Sequence, residues 1–129
     1  MKASRFVLSG LTLALFALPF AAQAGDGDWK RGRIYYRMVC TACHVEKASA
    51  IAPSTKTMAE WNAYLLADKH AKGKDSVKFY LSKKYRDSVK ATNKAAEKYA
   101  DVPEQDLFED LKAFVIKGAK DGDSPASCS

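Results

Sequence analysis

Cys40, Cys43 and His44 stand in a C-x-x-C-H run, Cys40-Thr41-Ala42-Cys43-His44. Two thiols separated by two residues reach adjacent edges of one porphyrin, where each adds across a vinyl group to give a thioether. The histidine that follows is then carried beneath the iron as its proximal ligand. Other uses of such cysteines fit less well. A dithiol redox pair belongs to a βαβ setting, which the surrounding pattern lacks. A zinc site needs a fourth ligand, usually from a second close pair, and the remaining cysteine, Cys128, stands by itself near the end of the sequence. A disulfide between Cys40 and Cys43 closes too small a loop to stabilise a fold. The spacing points to one covalent haem c.

The sequence ahead of the motif reads as an export signal. Lys2 and Arg5 precede an apolar stretch over residues 6–20, Pro19 breaks it, and Ala22-Gln23-Ala24 places small residues where a signal peptidase reads them. The apolar run of about 15 residues falls short of the roughly 20 that span a bilayer. Residues 1–24 are therefore expected to be a signal peptide cleaved after about Ala24, which sends the mature protein to the periplasm. No cysteine near that point offers a lipid anchor. Residues 25–119 are expected to form one haem-bearing domain and residues 120–129 a flexible tail. Cleavage removes Lys2 and Arg5 and no acid, so the net charge falls from +6 to +4. A basic surface of this size suits steering toward acidic docking patches on redox proteins. Lysines alternate with Asp and Glu, and no nucleic-acid-binding pattern occurs, so nucleic acid is not an expected partner. Membrane association is not required.

The elements that must position the motif are helical throughout. A first helix is expected from about Asp28 to Cys40, with Trp29, Gly32, Tyr36 and Val39 at helical spacing. Thr57-Met58-Ala59-Glu60 has the form of a capping box, and Met58, Trp61 and Leu65 make the apolar face of the helix it opens. Asp75 or Ser76 starts a third helix with Val77, Leu81, Tyr85 and Val89 as its seam, either continuing to Tyr99 or breaking near Asn93. Pro103, Glu104 and Asp106 mark the start of a last helix. Leu107, Leu111, Phe114 and Val115 form its inner stripe, and Gly118 ends it. The expected fold class is all-α, a small helical wrapping around one haem.

With these residues in view, the chain resembles class I cytochromes c. Gly32, Tyr36, Cys40, Cys43 and His44 fit the G-x-x-x-[YF]-x-x-x-C-x-x-C-H start of that family, and residues 102–114 look like its last helix. The resemblance implies that Gly32 and Tyr36 lie where the first and last helices cross. It also implies that the carbonyl of Pro53 accepts the ring N–H of His44. One departure stands out. The family supplies a methionine ligand from a loop before the last helix, and residues 72–102 contain neither Met nor His.

The sixth ligand therefore has several candidates. His70 is the only other histidine, and bis-histidine ligation would give a lower potential than histidine–methionine; a solvent-facing histidine at a helix end is the alternative. Met58 can ligate or simply pack in the core. Met38, two residues before Cys40, is too constrained to reach the far face. Lys90 or Lys94 would bind only after losing a proton, and five-coordinate iron completes the set. A tyrosine hydroxyl or the Trp61 N–H is suited to a haem propionate. The lysines over residues 69–98 read as a solvated helix face, with a ring around an exposed haem edge as the alternative. The expected function is electron transfer rather than enzymatic catalysis, in an anaerobic or respiratory chain. The alternatives are a gas-binding or peroxide-reactive haem protein with an open distal site, and a small haem subunit of an oxidoreductase complex. Cys128 can cross-link two chains or serve no purpose.

Overall fold

The computed structural model describes residues 26–40, 52–71 and 73–126. The expected export signal, Cys43, His44 and Cys128 lie outside the described residues, as do residues 45–51. Among the described residues the chain forms six α-helices and no strand: α1 (Trp29–Met38), α2 (Met58–Ala67), α3 (Val77–Leu81), α4 (Lys83–Val89), α5 (Lys94–Glu97) and α6 (Glu104–Lys117). The all-α expectation holds. No helix among them is long and apolar enough to cross a membrane.

Local chemistry accounts for most helix starts. Asp28 caps α1, its carboxylate accepting from the N–H groups of Lys30 at 2.9 Å and Arg31 at 3.3 Å. Thr57 and Glu60 form the expected reciprocal capping box at α2, with bonds of 3.2 and 2.7 Å. Ser76 opens α3 and Asn93 opens α5, each accepting an N–H inside the first turn. Pro103 stands at the N-cap of α6, and Gly118 stands at its C-cap.

The expected third helix is divided. Ser82 is extended, and its hydroxyl caps α4 by accepting from the Tyr85 N–H at 3.1 Å. A serine that offers the backbone this alternative competes with continued helix. The break also turns the seam: Val77 and Leu81 are buried, Tyr85 and Val89 are only half-buried, and Arg86 is buried in their place. A further break falls at Asn93, so the chain does not run on as one helix to Tyr99.

The core is built where α1 and α2 lie on α6. Leu107, Leu111, Phe114 and Val115 are all buried along α6, as expected, and they meet Tyr35 and Val39 from α1 and Trp61 and Leu65 from α2. Met58 is a correction to the apolar face of α2. It is 37 % exposed at the first turn, where its backbone N–H donates to Asp121 at 2.7 Å. That contact is one of several that reach the residues after α6. Up to Ala126 the chain is tied to the body: Ser54 N–H donates to the Ala126 carbonyl at 3.1 Å, and Ala126 N–H to the Gly118 carbonyl at 2.9 Å. Lys120 N–H adds a bond to the Lys56 carbonyl at 2.9 Å. Gly, Ser and Pro give no periodicity, yet their main chain still pairs.

Candidate haem attachment site

Cys40 stands two residues beyond the end of α1, so the placement of that helix sets the placement of the motif. Gly32 makes the crossing with α6 close. A Cβ there would overlap the Asp110 carbonyl oxygen and crowd Leu111 N at 3.0 Å, so only glycine lets the two backbones meet. One turn on, Tyr36 packs its ring against Phe114 with centroids 5.5 Å apart. Gly32 and Tyr36 therefore occupy the crossing that the family resemblance implied for them.

A polar lock sits beside that contact. Asp110 is buried on the inner side of α6; it accepts the Asp28 backbone N–H at 2.7 Å and pairs with the Arg31 guanidinium. The hydrogen bond to Asp110 raises the Arg31 pKa above its ordinary value, against the opposing effect of burial. One carboxylate thus satisfies an orphan N–H before α1 and a cation on its first turn. The sequence carried a signal for it: Asp110 lies three residues after Leu107 and four before Phe114, on the apolar stripe itself.

Cys40 is half-buried and packs at the edge of the core. Its neighbour is Tyr35, whose hydroxyl donates to the Tyr80 carbonyl at 2.7 Å. Burial drives the Tyr35 hydroxyl well above the ordinary phenol pKa, and the nearby Cys40 sulfur adds to the shift. Tyr35 is thus a neutral donor at any physiological pH. It joins the α1 end of the site to α3.

Beyond Tyr80 lies a partly exposed aromatic group. The Phe79, Tyr80 and Tyr85 rings meet pairwise at 5.1 to 5.8 Å and steep angles. His70 joins it, with its ring 5.3 Å from that of Tyr80. The turn carrying His70 is held from several sides. Asp68 ends α2 in the left-handed conformation with φ 49°, and its carboxylate accepts the Lys78 N–H at 2.9 Å. The Tyr64 hydroxyl accepts the Ala71 N–H at 3.2 Å. Gly73 backs the ring so closely that a Cβ would lie 3.0 Å from His70 Cγ and 2.9 Å from the Tyr80 hydroxyl. His70 is therefore half-buried and packed, not a solvent-facing residue on a basic helix end.

The other candidates are placed as follows. Met58 lies exposed at the start of α2, and Met38 is 53 % exposed on the outer side of α1. Lys90 pairs with Asp87 at 3.4 Å, as does Lys83 at 3.1 Å, which agrees with a solvated face for this part of the lysine run. The Trp61 N–H is engaged by the Pro53 carbonyl at 2.7 Å, so it is not directed at a propionate. The same carbonyl was expected to serve His44. A carbonyl oxygen has a second lone pair for that purpose.

Arg86 was not found from the sequence. It is 1 % exposed, and its guanidinium donates to the Ser82 carbonyl at 3.3 Å and to the Tyr99 carbonyl. Standing between Tyr85 and Asp87 in a polar stretch, it carries no pattern that distinguishes it from a surface arginine.

Of the three donors that the C-x-x-C-H run offers, Cys40 is the one among the described residues. Cys40 is held at the core edge by a fixed helix, with an aromatic wall and a packed imidazole on the adjoining elements. No protein-family model, curated protein or solved structure matches the chain, so the reading of the site stands on its residues and their geometry.

Proposed function

We propose that this chain is an exported monohaem c-type cytochrome, similar to class I members, that carries single electrons between redox partners in the periplasm and is not an enzyme. The observation that carries the reading is the seat of Cys40: the first cysteine of a C-x-x-C-H run follows a helix fixed onto α6 through Gly32 and Asp110. Cys40 is thus placed by a fixed helix, which suits an attachment point.

Cys40 and Cys43 would hold the group through two thioethers, and His44 would ligate the iron. Haem c bound there would supply a one-electron ferrous–ferric couple. The chain supplies a fixed attachment, the apolar packing of Tyr35, Val39 and Phe114 that excludes water, and a basic surface for transient partners. For the sixth ligand His70 is favoured over Met58. Its imidazole is packed on Tyr80, whose carbonyl is bonded to the Tyr35 that neighbours Cys40, whereas Met58 faces outward beside the Asp121 contact.

The test uses the full chain made in a host with cytochrome c maturation machinery. The denatured protein should retain haem, and the Cys40→Ala/Cys43→Ala pair should release it; a wild-type chain that loses haem on denaturation overturns the reading. His70→Ala should change the absorption spectrum, shift the potential and open the iron to carbon monoxide, while Met58→Ala leaves all three unchanged. An unaltered His70→Ala spectrum removes His70 as ligand. Rapid carbon monoxide binding by the wild type would favour an open distal site for gas binding.

A further inference from the structure

We propose that the Arg86 guanidinium, buried without a counter-charge, is a fixed cation that raises the reduction potential of a haem attached at Cys40; this rests on the electron-carrier reading above. Arg86 is 1 % exposed, and its guanidinium donates to the backbone carbonyls of Ser82 and Tyr99. Among the described residues no carboxylate pairs with it. Asp87, its neighbour in sequence, faces Lys83 and Lys90. Asp110, the buried acid of the core, is held by Arg31 and the Asp28 N–H. Glu97 and Asp101 are exposed.

Hydrogen bonding does not account for the charge. Both carbonyls already accept a backbone N–H at 3.0 Å, Ser82 from Arg86 and Tyr99 from Val102. A neutral side-chain amide donates to carbonyls as well. A cation taken out of water without an anion costs stability, and an apolar side chain of similar volume does not carry that cost. The charge itself is what the fold keeps.

Its field extends toward the attachment point. The ring of Tyr99 meets that of Tyr35 edge-on, with centroids 5.0 Å apart. Burial and the Cys40 sulfur raise the Tyr35 pKa, and the Arg86 cation acts in the opposite direction. Tyr35, Val39 and Tyr99 are buried, so this part of the core excludes the water that would screen the charge. Oxidation of a haem iron adds one positive charge, which a buried cation opposes. The ferrous form is favoured and the potential rises. That effect works against the low potential that ligation by His70 would bring.

Covalent haem is measured first, by absorbance of the denatured full chain; its absence overturns the electron-carrier reading and this proposal together. Potentials are then read by spectroelectrochemical titration. Arg86→Gln keeps a donor and drops the charge. It should lower the ferrous-to-ferric ratio at a fixed electrode potential about tenfold, a shift of about 59 mV. Arg86→Lys keeps the charge and should change the ratio less than about threefold. Lys84→Gln drops an exposed charge from the same helix and should change it less than about twofold. Added salt should leave the Arg86→Gln difference in place, because a buried charge is little screened. A wild-type potential in Arg86→Gln, or an equal loss in Arg86→Lys, overturns the proposal while the haem reading stands. Should Arg86→Gln fail to fold, Ser82→Asp carries the test. Aspartate caps α4 as serine does and brings a carboxylate beside the guanidinium. The ratio should fall in this variant too. Its urea midpoint should exceed that of Ser76→Asp, the same exchange at the cap of α3. An unchanged ratio in Ser82→Asp, or a midpoint below that of Ser76→Asp, overturns the proposal.

Discussion

The crossing of α1 with α6 and the turn that carries His70 both rely on a glycine, but they use it differently. At the crossing, Gly32 faces the Asp110 carbonyl, part of a helix backbone that has no room to move. At the turn, Gly73 faces the ring of His70 and the hydroxyl end of Tyr80. The first contact is backbone against backbone, and the second is backbone against side chains that can rotate. One region holds a fixed geometry, and the other holds a residue in place while allowing it to adjust. In the site proposed above, the first region would carry the covalent attachment and the second the candidate sixth ligand.

The largest effect should come from filling Gly32, with Gly73 as the contrast. Gly32→Ala should destabilise the protein by about 3 kcal/mol or more, because helix separation is the only relief. Gly73→Ala should cost no more than about 1 kcal/mol, because the His70 and Tyr80 rings can give by a few tenths of an ångström. Urea unfolding of both variants measures the contrast, and equal losses would erase the distinction drawn between the regions.

A smaller effect is expected from the lock beside Gly32. Asp110→Ala leaves the Arg31 cation and the Asp28 N–H without their partner and should cost about 2–3 kcal/mol. Arg31 is 38 % exposed, so water can replace part of its contact, and Arg31→Ala should cost less, about 1 kcal/mol. A double-mutant cycle by thermal or chemical unfolding gives the coupling.

The smallest effects belong to α2. Thr57→Ala should cost about 1 kcal/mol through the lost cap. Glu60 has its pKa lowered, chiefly by the bond from the Thr57 backbone N–H. A carboxylate whose folded pKa is depressed contributes stability that is present above its unfolded value, about 4.3, and is lost as pH falls through the folded value. The melting temperature of the wild type should therefore exceed that of Glu60→Gln near neutrality, and the gap should close in acid. A constant gap across that range would show that the capping box does not titrate.

The two regions also differ in how far the sequence revealed them. At the crossing each element left a direct trace: Asp26 or Asp28 as a cap ahead of α1, Gly32 and Tyr36 at fixed spacing before Cys40, and a period of three and four along α6. These are local rules in which residue type dictates geometry. The middle of the chain was harder. Ser82 fits a helix interior as well as a cap, and only packing determines which role it takes. Once it breaks the helix, the residue facing inward changes from Tyr85 to Arg86. The sequence could name His70 as a candidate but not the cradle of Tyr64, Asp68, Gly73 and Tyr80, which comes from separate elements. Met58 was misread because its spacing from Trp61 and Leu65 suits a buried face, while its place in the first turn leaves it outside. The backbone bonds of the residues after α6 could not be read either, because backbone pairing leaves no side-chain pattern.

The bond from Asp28 to Asp110 joins residues 82 positions apart. Long-range closures of this kind form late, since a large loop must be ordered before they are rewarded. During synthesis α1 has nothing to dock on until α6 has emerged. On the haem-attachment reading proposed above, Cys40 would be open to attachment throughout that interval. The last helix would then act as a clock, its arrival ending the period in which the chain can be loaded.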